Sequence, residues 1–179
     1  RDPVLVGPFA LGRRCTKPII TAVQGICFTA GIELALAGEI VIAADDCRFS
    51  QLEARRGLAP LGGATFRFVE RGGWRNAMSH LLLADEFDAA EAYRIGIAQE
   101  VVPAGTQGER ALEVGRQLAK CAPIAVRGVM ANARLWEQEG ERAAIDHLKE
   151  VDREVMASTD IAEGVQSFLE RREARFTGR

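Results

Sequence analysis

Residues 17–38 read KPIITAVQGICFTAGIELALAG, and this stretch decides the fold class. Pro18 to Gln24 is β-branched and apolar and is closed by Gly25, the pattern of a short buried strand. Ala30 to Gly38 is rich in Ala and Leu and ends in glycine, the pattern of a short buried helix. Glu39 to Ala44 then predicts a second strand, stopped by Asp45-Asp46, and Arg48 to Ser50 a briefer third. Gly57 to Gly63 carries three glycines and a proline and predicts a loop. Strand, helix and strand in such quick succession define an α/β unit.

Downstream of Trp74 the expectation is mainly helical. Helices are predicted over Trp74–Ala84, Ala89–Ile95, Gly108–Ala122, Ile124–Gln138, Glu141–Met156 and Ile161–Arg172, with a single late strand at Gln99–Val102. Pro123 and Gly140 punctuate the series, and Asp160 is the expected N-cap of its last member. The resulting division is a strand-bearing part over residues 1–104 and a helical part over 105–179.

The whole chain has 179 residues, 47% hydrophobic and 27% charged, the balance of a folded globular chain and not of a disordered one. Lys+Arg 23 against Asp+Glu 25 gives a net charge of -2, which argues against a nucleic-acid partner. Apolar runs stay as short as Ile40 to Ala44, so no segment predicts a membrane span. Cys15, Cys27, Cys47 and Cys121 form no C-x-x-C pair, and only His80 and His147 could join them. That pattern predicts free thiols in a reducing, cytoplasmic setting and no metal site. The chain opens Arg1-Asp2-Pro3-Val4, with no charged-then-apolar signal segment, and reads like the interior of a longer sequence.

The chain contains no G-x-G-x-x-G, no P-loop and no G-x-S-x-G elbow, so nothing supports dinucleotide, nucleotide or serine-hydrolase chemistry. His80, beside three leucines, reads as a packed residue, and His147 as a solvated helix residue. Glu33 is the unusual group, a carboxylate within the apolar run Gly31-Ile32-Glu33-Leu34-Ala35-Leu36. Buried, it would need a partner or a proton and would suit general acid–base work; otherwise it occupies the one exposed position of its helix. Glu53 is either a second such group or half of an ordinary surface ion pair with Arg56. Between them, Gly25 to Gly31 leads a strand into a helix start, where unpaired N–H groups and the small Ala30 and Gly31 would let a developing oxyanion approach.

Lys17 to Gly25 followed by Gly31 to Ala37 closely resembles the core signature of the enoyl-CoA hydratase/isomerase (crotonase) superfamily. The resemblance continues through Phe49 to Glu53, Gly57 to Pro60, Gly62 to Thr65, Asp88 to Gly96 and Val101 to Pro103. It closes with Glu163-Gly164, Phe168 to Arg172 and Arg175 to Arg179. It implies a crotonase-like α/β fold, a ββα spiral core incomplete at its N-terminus, with a C-terminal helical region for trimerisation and for covering CoA. The family's first ββα turns, with the other oxyanion N–H and much of the adenine site, have no counterpart here, and residues 1–15 show no matching small-residue turn.

By matched motif, the resemblance makes Glu33 and Glu53 the catalytic pair, and Ala30, with Gly31, the backbone side of the oxyanion and substrate site. It places the acyl pocket at Phe28, Leu61, Gly62 and Gly63, and CoA contacts at Phe168 and Arg171. Thr29-Ala30 in place of glycines, Leu52 for Pro, Leu61 for Gly and Phe66 for Gln imply a reshaped acyl pocket. The expected activity is hydration of a 2-enoyl-CoA to a 3-hydroxyacyl-CoA, because both glutamates are kept. The alternatives are a Δ3,Δ2-enoyl-CoA isomerase and a catalytically silent assembly subunit. Coenzyme A enters only as part of the substrate, no separate cofactor or metal is expected, and the expected partner is a further copy of the chain in a trimer or dimer of trimers. Exposable apolar positions such as Leu112, Val129, Ile145 and Leu148 support that association.

Overall fold

In this computed structural model, which describes residues 6–179, the β-branched runs become short strands and the Ala/Leu runs become helices. The chain parts into two compact units, the first ending at Val114 and the second beginning at Gly115. The boundary lies inside a helix, α4 (Gln107–Leu118), later than the end of the last strand.

The first unit runs β1 (Ile20–Val23), β2 (Ile26–Phe28), α1 (Ala30–Leu36), β3 (Ile40–Ala44), β4 (Arg48–Ser50), α2 (Ala64–Leu83), β5 (Phe87–Asp88), α3 (Ala89–Arg94) and β6 (Glu100–Val102). Strands β1, β3 and β6 form one parallel sheet, with Ile20 opposite Ile40 and Ile42 opposite Glu100. Strands β2, β4 and β5 form a second, parallel between β2 and β4 and antiparallel between β4 and β5. The first two coils, β1-β2-α1 and β3-β4-α2, each contribute one strand to each sheet and then a helix, which is a ββα spiral; in the third, α3 lies between β5 and β6. Its core is made of Ile32, Ala35 and Leu36 from α1, Ala43 and Ala44 from β3, Phe49 from β4 and Phe68 and Ala77 from α2. Phe49 and Phe87 stack with ring centroids 5.4 Å apart, and each fully buried aromatic of this kind contributes about 1.5–3 kcal/mol.

Some elements differ from the sequence expectation, each for a physical reason. Gly25 (φ +58) turns the chain so that Ile26–Phe28 joins the second sheet as β2, not the end of β1. The span α2 (Ala64–Leu83) is two helices that meet at Gly73, whose φ 71 and ψ 161 are not helical; the second is the helix expected from Trp74, and the first, over residues 64–72, was not expected from the sequence. Strand β5, at two residues, is too short to show an alternating pattern. The stretch Glu53–Arg56 closes into a 3-10 turn after β4.

The second unit contains α5 (Pro123–Glu139), α6 (Glu141–Met156) and α7 (Thr159–Glu170). Pro123 starts α5, where its missing N–H costs nothing, and Gly140 (φ +85) separates α5 from α6. Ser158, not Asp160, occupies the N-cap position of α7. Asp160 is buried and instead accepts from the backbone N–H groups of Thr177 (2.7 Å) and Gly178 (2.9 Å), while Thr159 N donates to Arg179 O at 2.7 Å. Tail and helix are thus tied. His147 is not simply solvated: its Nδ1 lies 3.0 Å from Asn132 Oδ1, joining α6 to α5. None of the described helices is long and apolar enough to cross a membrane.

Candidate active site

Glu33 lies in the first turn of α1, 5% exposed, so the exposed-position alternative fails. The period of a seven-residue helix whose Ile32, Ala35 and Leu36 all face the core carries the intervening Glu33 inward as well. Its Oε1 accepts hydrogen bonds from the backbone N–H groups of Gly62 (2.6 Å) and Ala64 (3.2 Å). The Gly57–Gly63 loop thereby folds its amides onto the carboxylate. A Cβ at Gly62 would collide with Glu33 Oε2 and come within 2.9 Å of Phe9 Cδ1, so only glycine fits there. Gly63 adopts φ +110 to start α2, a conformation that L side chains rarely take.

The amides that head α1 sit on a strained residue. Thr29 has φ 49 and ψ -114, an unusual conformation for a β-branched side chain and one that costs about 1–3 kcal/mol. Its N–H donates to Ser50 O at 2.8 Å, and Phe28 is opposite Ser50 in the β2–β4 register, so the head of α1 lies directly beside the end of β4. The amides of Ala30 and Gly31 fall in the first turn, where helix geometry gives an N–H no intrahelical acceptor.

Glu53 follows on that same strand end. No ion pair joins it to Arg56 among the described residues, which removes the surface-pair alternative; Arg55 Nε instead donates to Leu83 O at 3.0 Å. Glu53 is half-buried, and its Oε2 is buried with no hydrogen-bond partner among the described residues. Gln51, 1% exposed, has both amide atoms buried and unpartnered in the same way. The orphaned atoms of Gln51 and Glu53 come from one short segment at the end of β4. Gln51 escaped the sequence reading as a site residue because only its burial distinguishes it.

Among the remaining expected residues, Phe28 is half-buried with the Arg48 guanidinium 5.9 Å from its ring centroid, and Leu61 is 84% exposed at the tip of its loop. Phe66, whose Cζ would be 3.1 Å from a Cβ on Gly63, flanks the same loop. Residues 7–10 contribute more than the sequence suggested. Ala10 N donates to Gly7 O at 2.9 Å to close a turn, and the buried Arg67 draws this turn onto the Gly62 loop by donating to Phe9 O (2.7 Å), Ala10 O (3.1 Å) and Gly62 O (3.3 Å). What the turn offers there is carbonyl oxygens and a phenyl ring. The expectation of no turn holds nothing for residues 1–5, which lie outside the described residues.

Phe168 and Arg171 belong to the second unit. Phe168 is 82% exposed on the rim of an apolar groove of about 480 Å³ lined by Ile124, Val155, Ile161, Val165 and Phe176, and Arg171 ends α7 in the left-handed region (φ 54). Cys27, packed beneath Gly31, is buried, and its thiol is pushed up to about 12 by that burial and then by the neighbouring Cys47. It stays protonated and serves as packing, not as a nucleophile.

The ββα spiral and the loop-bound carboxylate define a class that comparison with known proteins identifies. The enoyl-CoA hydratase/isomerase family model matches residues 9–179. The enoyl-CoA hydratase EchA19 of Mycobacterium tuberculosis is 32% identical over 177 residues, covering 99% of this chain and 66% of that protein. The 1,2-epoxyphenylacetyl-CoA isomerase of Escherichia coli is 32% identical over 163 residues, 91% of this chain and 62% of that protein. A crystal structure from Mycobacterium abscessus, described as a probable enoyl-CoA hydratase/isomerase, superposes with a TM-score of 0.95 at 47% identity, covering 97% of this chain and 68% of its own. The chain belongs to the enoyl-CoA hydratase/isomerase family and has the crotonase-like α/β fold. It spans about two thirds of the length of the relatives it matches, 66% in the case of EchA19.

Proposed function

We propose that the protein hydrates a 2-enoyl-CoA to the 3-hydroxyacyl-CoA, with Glu33 and Glu53 handling the protons and the Ala30 N–H, beside Gly31, receiving thioester oxygen charge. The observation that carries this reading is the contrast between the two carboxylates: Glu33 Oε1 holds two backbone N–H groups, while Glu53 Oε2 holds no partner. An oxygen that already accepts two N–H bonds is held as an acceptor, so a proton taken up by Glu33 goes to its Oε2. Glu33 is therefore the base: it takes a proton from water as the hydroxyl bonds to C3. The C2=C3 electron pair shifts toward the thioester, whose oxygen gains the charge that amides at the head of α1 are aimed to stabilise. Glu53 then gives its proton to C2. Transfer of the proton from Glu33 back to Glu53 through solvent restores both groups, and the net addition is one water.

Coenzyme A takes part as a portion of the substrate, and the Phe28, Leu61, Gly62 and Gly63 surroundings would receive the acyl chain. Phe168 and Arg171 would hold CoA. The protein would act as a trimer or dimer of trimers, a reading supported by the exposed Val129, Ile145, Leu148 and Leu169 of the second unit. The match to a family that includes isomerases supports a second reading, in which one carboxylate shuttles a proton between C2 and C4. Crotonyl-CoA decides between them. Hydration removes the conjugated-thioester absorbance, and Glu33→Gln or Glu53→Gln should each lower turnover by about 10²–10⁴. Creation of that absorbance from a 3-enoyl substrate, without its loss from crotonyl-CoA, would establish the isomerase instead.

A further inference from the structure

His80 takes no part in the chemistry above, yet it is held more closely than a packed histidine needs. It is 7% exposed, its Nδ1 lies 2.9 Å from Asp85 Oδ1 and its Nε2 3.4 Å from Glu91 Oε1. Its ring sits 4.2 Å from that of Phe87 and 6.1 Å from that of Phe68. Glu91 is itself fixed by Arg94, which donates to both its oxygens at 2.6 Å. Both ring nitrogens thus face carboxylate oxygens.

The turn that this histidine closes has a second use. Ala84 N donates to His80 O at 3.0 Å with Ala84 in the left-handed region (φ 47), so His80 grips the Leu83–Asp85 turn by its backbone and by its ring. Two of the turn's carbonyl oxygens bond to the segment that carries Glu53. Leu83 O accepts from Arg55 Nε at 3.0 Å, and Ala84 O accepts from Ser50 Oγ at 3.4 Å. Those two donors stand on either side of Glu53 in the chain. Ser50 also holds Thr29 N through its own carbonyl at 2.8 Å.

We infer that His80 is a positioning residue for Glu53: by clamping the Leu83–Asp85 turn between Asp85 and Glu91, it fixes the two carbonyls from which the Glu53 segment hangs. The inference rests on the role of Glu53 proposed above. A buried carboxylate oxygen with no partner of its own has nothing local to orient it, so its aim depends on the frame that carries it. That frame is anchored at Ser50 and Arg55.

The test is a double-mutant cycle on crotonyl-CoA hydration with His80→Gln and Glu53→Gln. The expected result is a loss of kcat of about tenfold from His80→Gln in the wild-type background, with KM within about twofold. In the Glu53→Gln background the same change should cost less than about twofold, because a residue acting through Glu53 has nothing left to position. An equal fractional loss in both backgrounds, or no loss in either, overturns the inference. Asp85→Asn, which retains shape and removes the charge, repeats the cycle if His80→Gln does not fold. Hydrogen exchange separates this failure from failure of the hydratase reading. If wild-type protein does not hydrate crotonyl-CoA, faster exchange in His80→Gln of the Thr29 amide and of the Leu58 amide, which donates to Glu53 O at 3.0 Å, still supports the clamp, and unchanged exchange overturns it.

Discussion

The two units of this chain are stabilised in opposite ways. Among the described residues, the buried apolar side chains of the first unit run from Cys27 to Ala98 in a continuous core, whereas the second unit buries one, Ala144. The second unit is fastened instead by polar clasps: Glu163 takes Arg172 at 2.6 Å and Arg175 N at 2.7 Å, Asp160 takes the tail amides, and Lys120 pairs with Glu173 at 2.6 Å. Its Val129, Trp136, Leu148, Val165, Phe168 and Leu169 are exposed. The first unit can therefore tolerate strained and orphaned groups because its core supplies the surplus. The second buries little apolar surface and leaves its apolar faces open.

The comparison breaks first in the core. Phe49→Ala should lower stability by about 3–5 kcal/mol in urea unfolding, the cost of removing a buried aromatic from a packed cluster. Val129→Ala on the second unit should change it by less than about 0.5 kcal/mol. Comparable losses from the two would mean that the helical unit has a core of its own.

A smaller effect is expected at the strained head of α1. Thr29→Gly removes the steric cost of φ 49 and should raise the melting temperature by a few degrees, an effect worth about 1 kcal/mol. A lower melting temperature would show that Thr29 contributes packing that outweighs its strain.

The least of these effects belongs to the clasps and is a matter of pH. The Arg172 guanidinium, followed by the Arg175 N–H, holds the Glu163 carboxyl down at about 2, below its ordinary 4.5. A carboxyl depressed in the folded state stabilises above its unfolded value, and that stabilisation is lost as pH falls from about 4.5 to about 2. The protection of the Arg175 amide, taken relative to its intrinsic exchange rate at each pH, should fall over that interval in wild-type protein. Glu163→Gln should show the lower protection already at pH 6, and an amide insensitive to both changes would remove the clasp.

The sequence by itself determined the local elements and the family. Strands β1, β3 and β4 and helices α1 and α6 were legible because β-branched runs, Ala/Leu runs and glycine stops act over a few residues. Residues 17–38 also carried the motif by which Glu33 and Ala30 were singled out. Tertiary structure decided what distance along the chain conceals. Whether Glu33 was an exposed helix residue or a buried carboxylate depended on the loop that brings Gly62 N and Ala64 N to its Oε1. Whether Glu53 paired with Arg56 or stood alone depended on the turn after β4, which leaves Glu53 Oε2 buried and without a partner among the described residues. The contacts of His80 and Arg67 and the burial of Gln51 were hidden for the same reason. A hydrogen bond or an ion pair is decided by which groups meet within about 3 Å, and residues thirty or sixty positions apart meet only when the spiral closes.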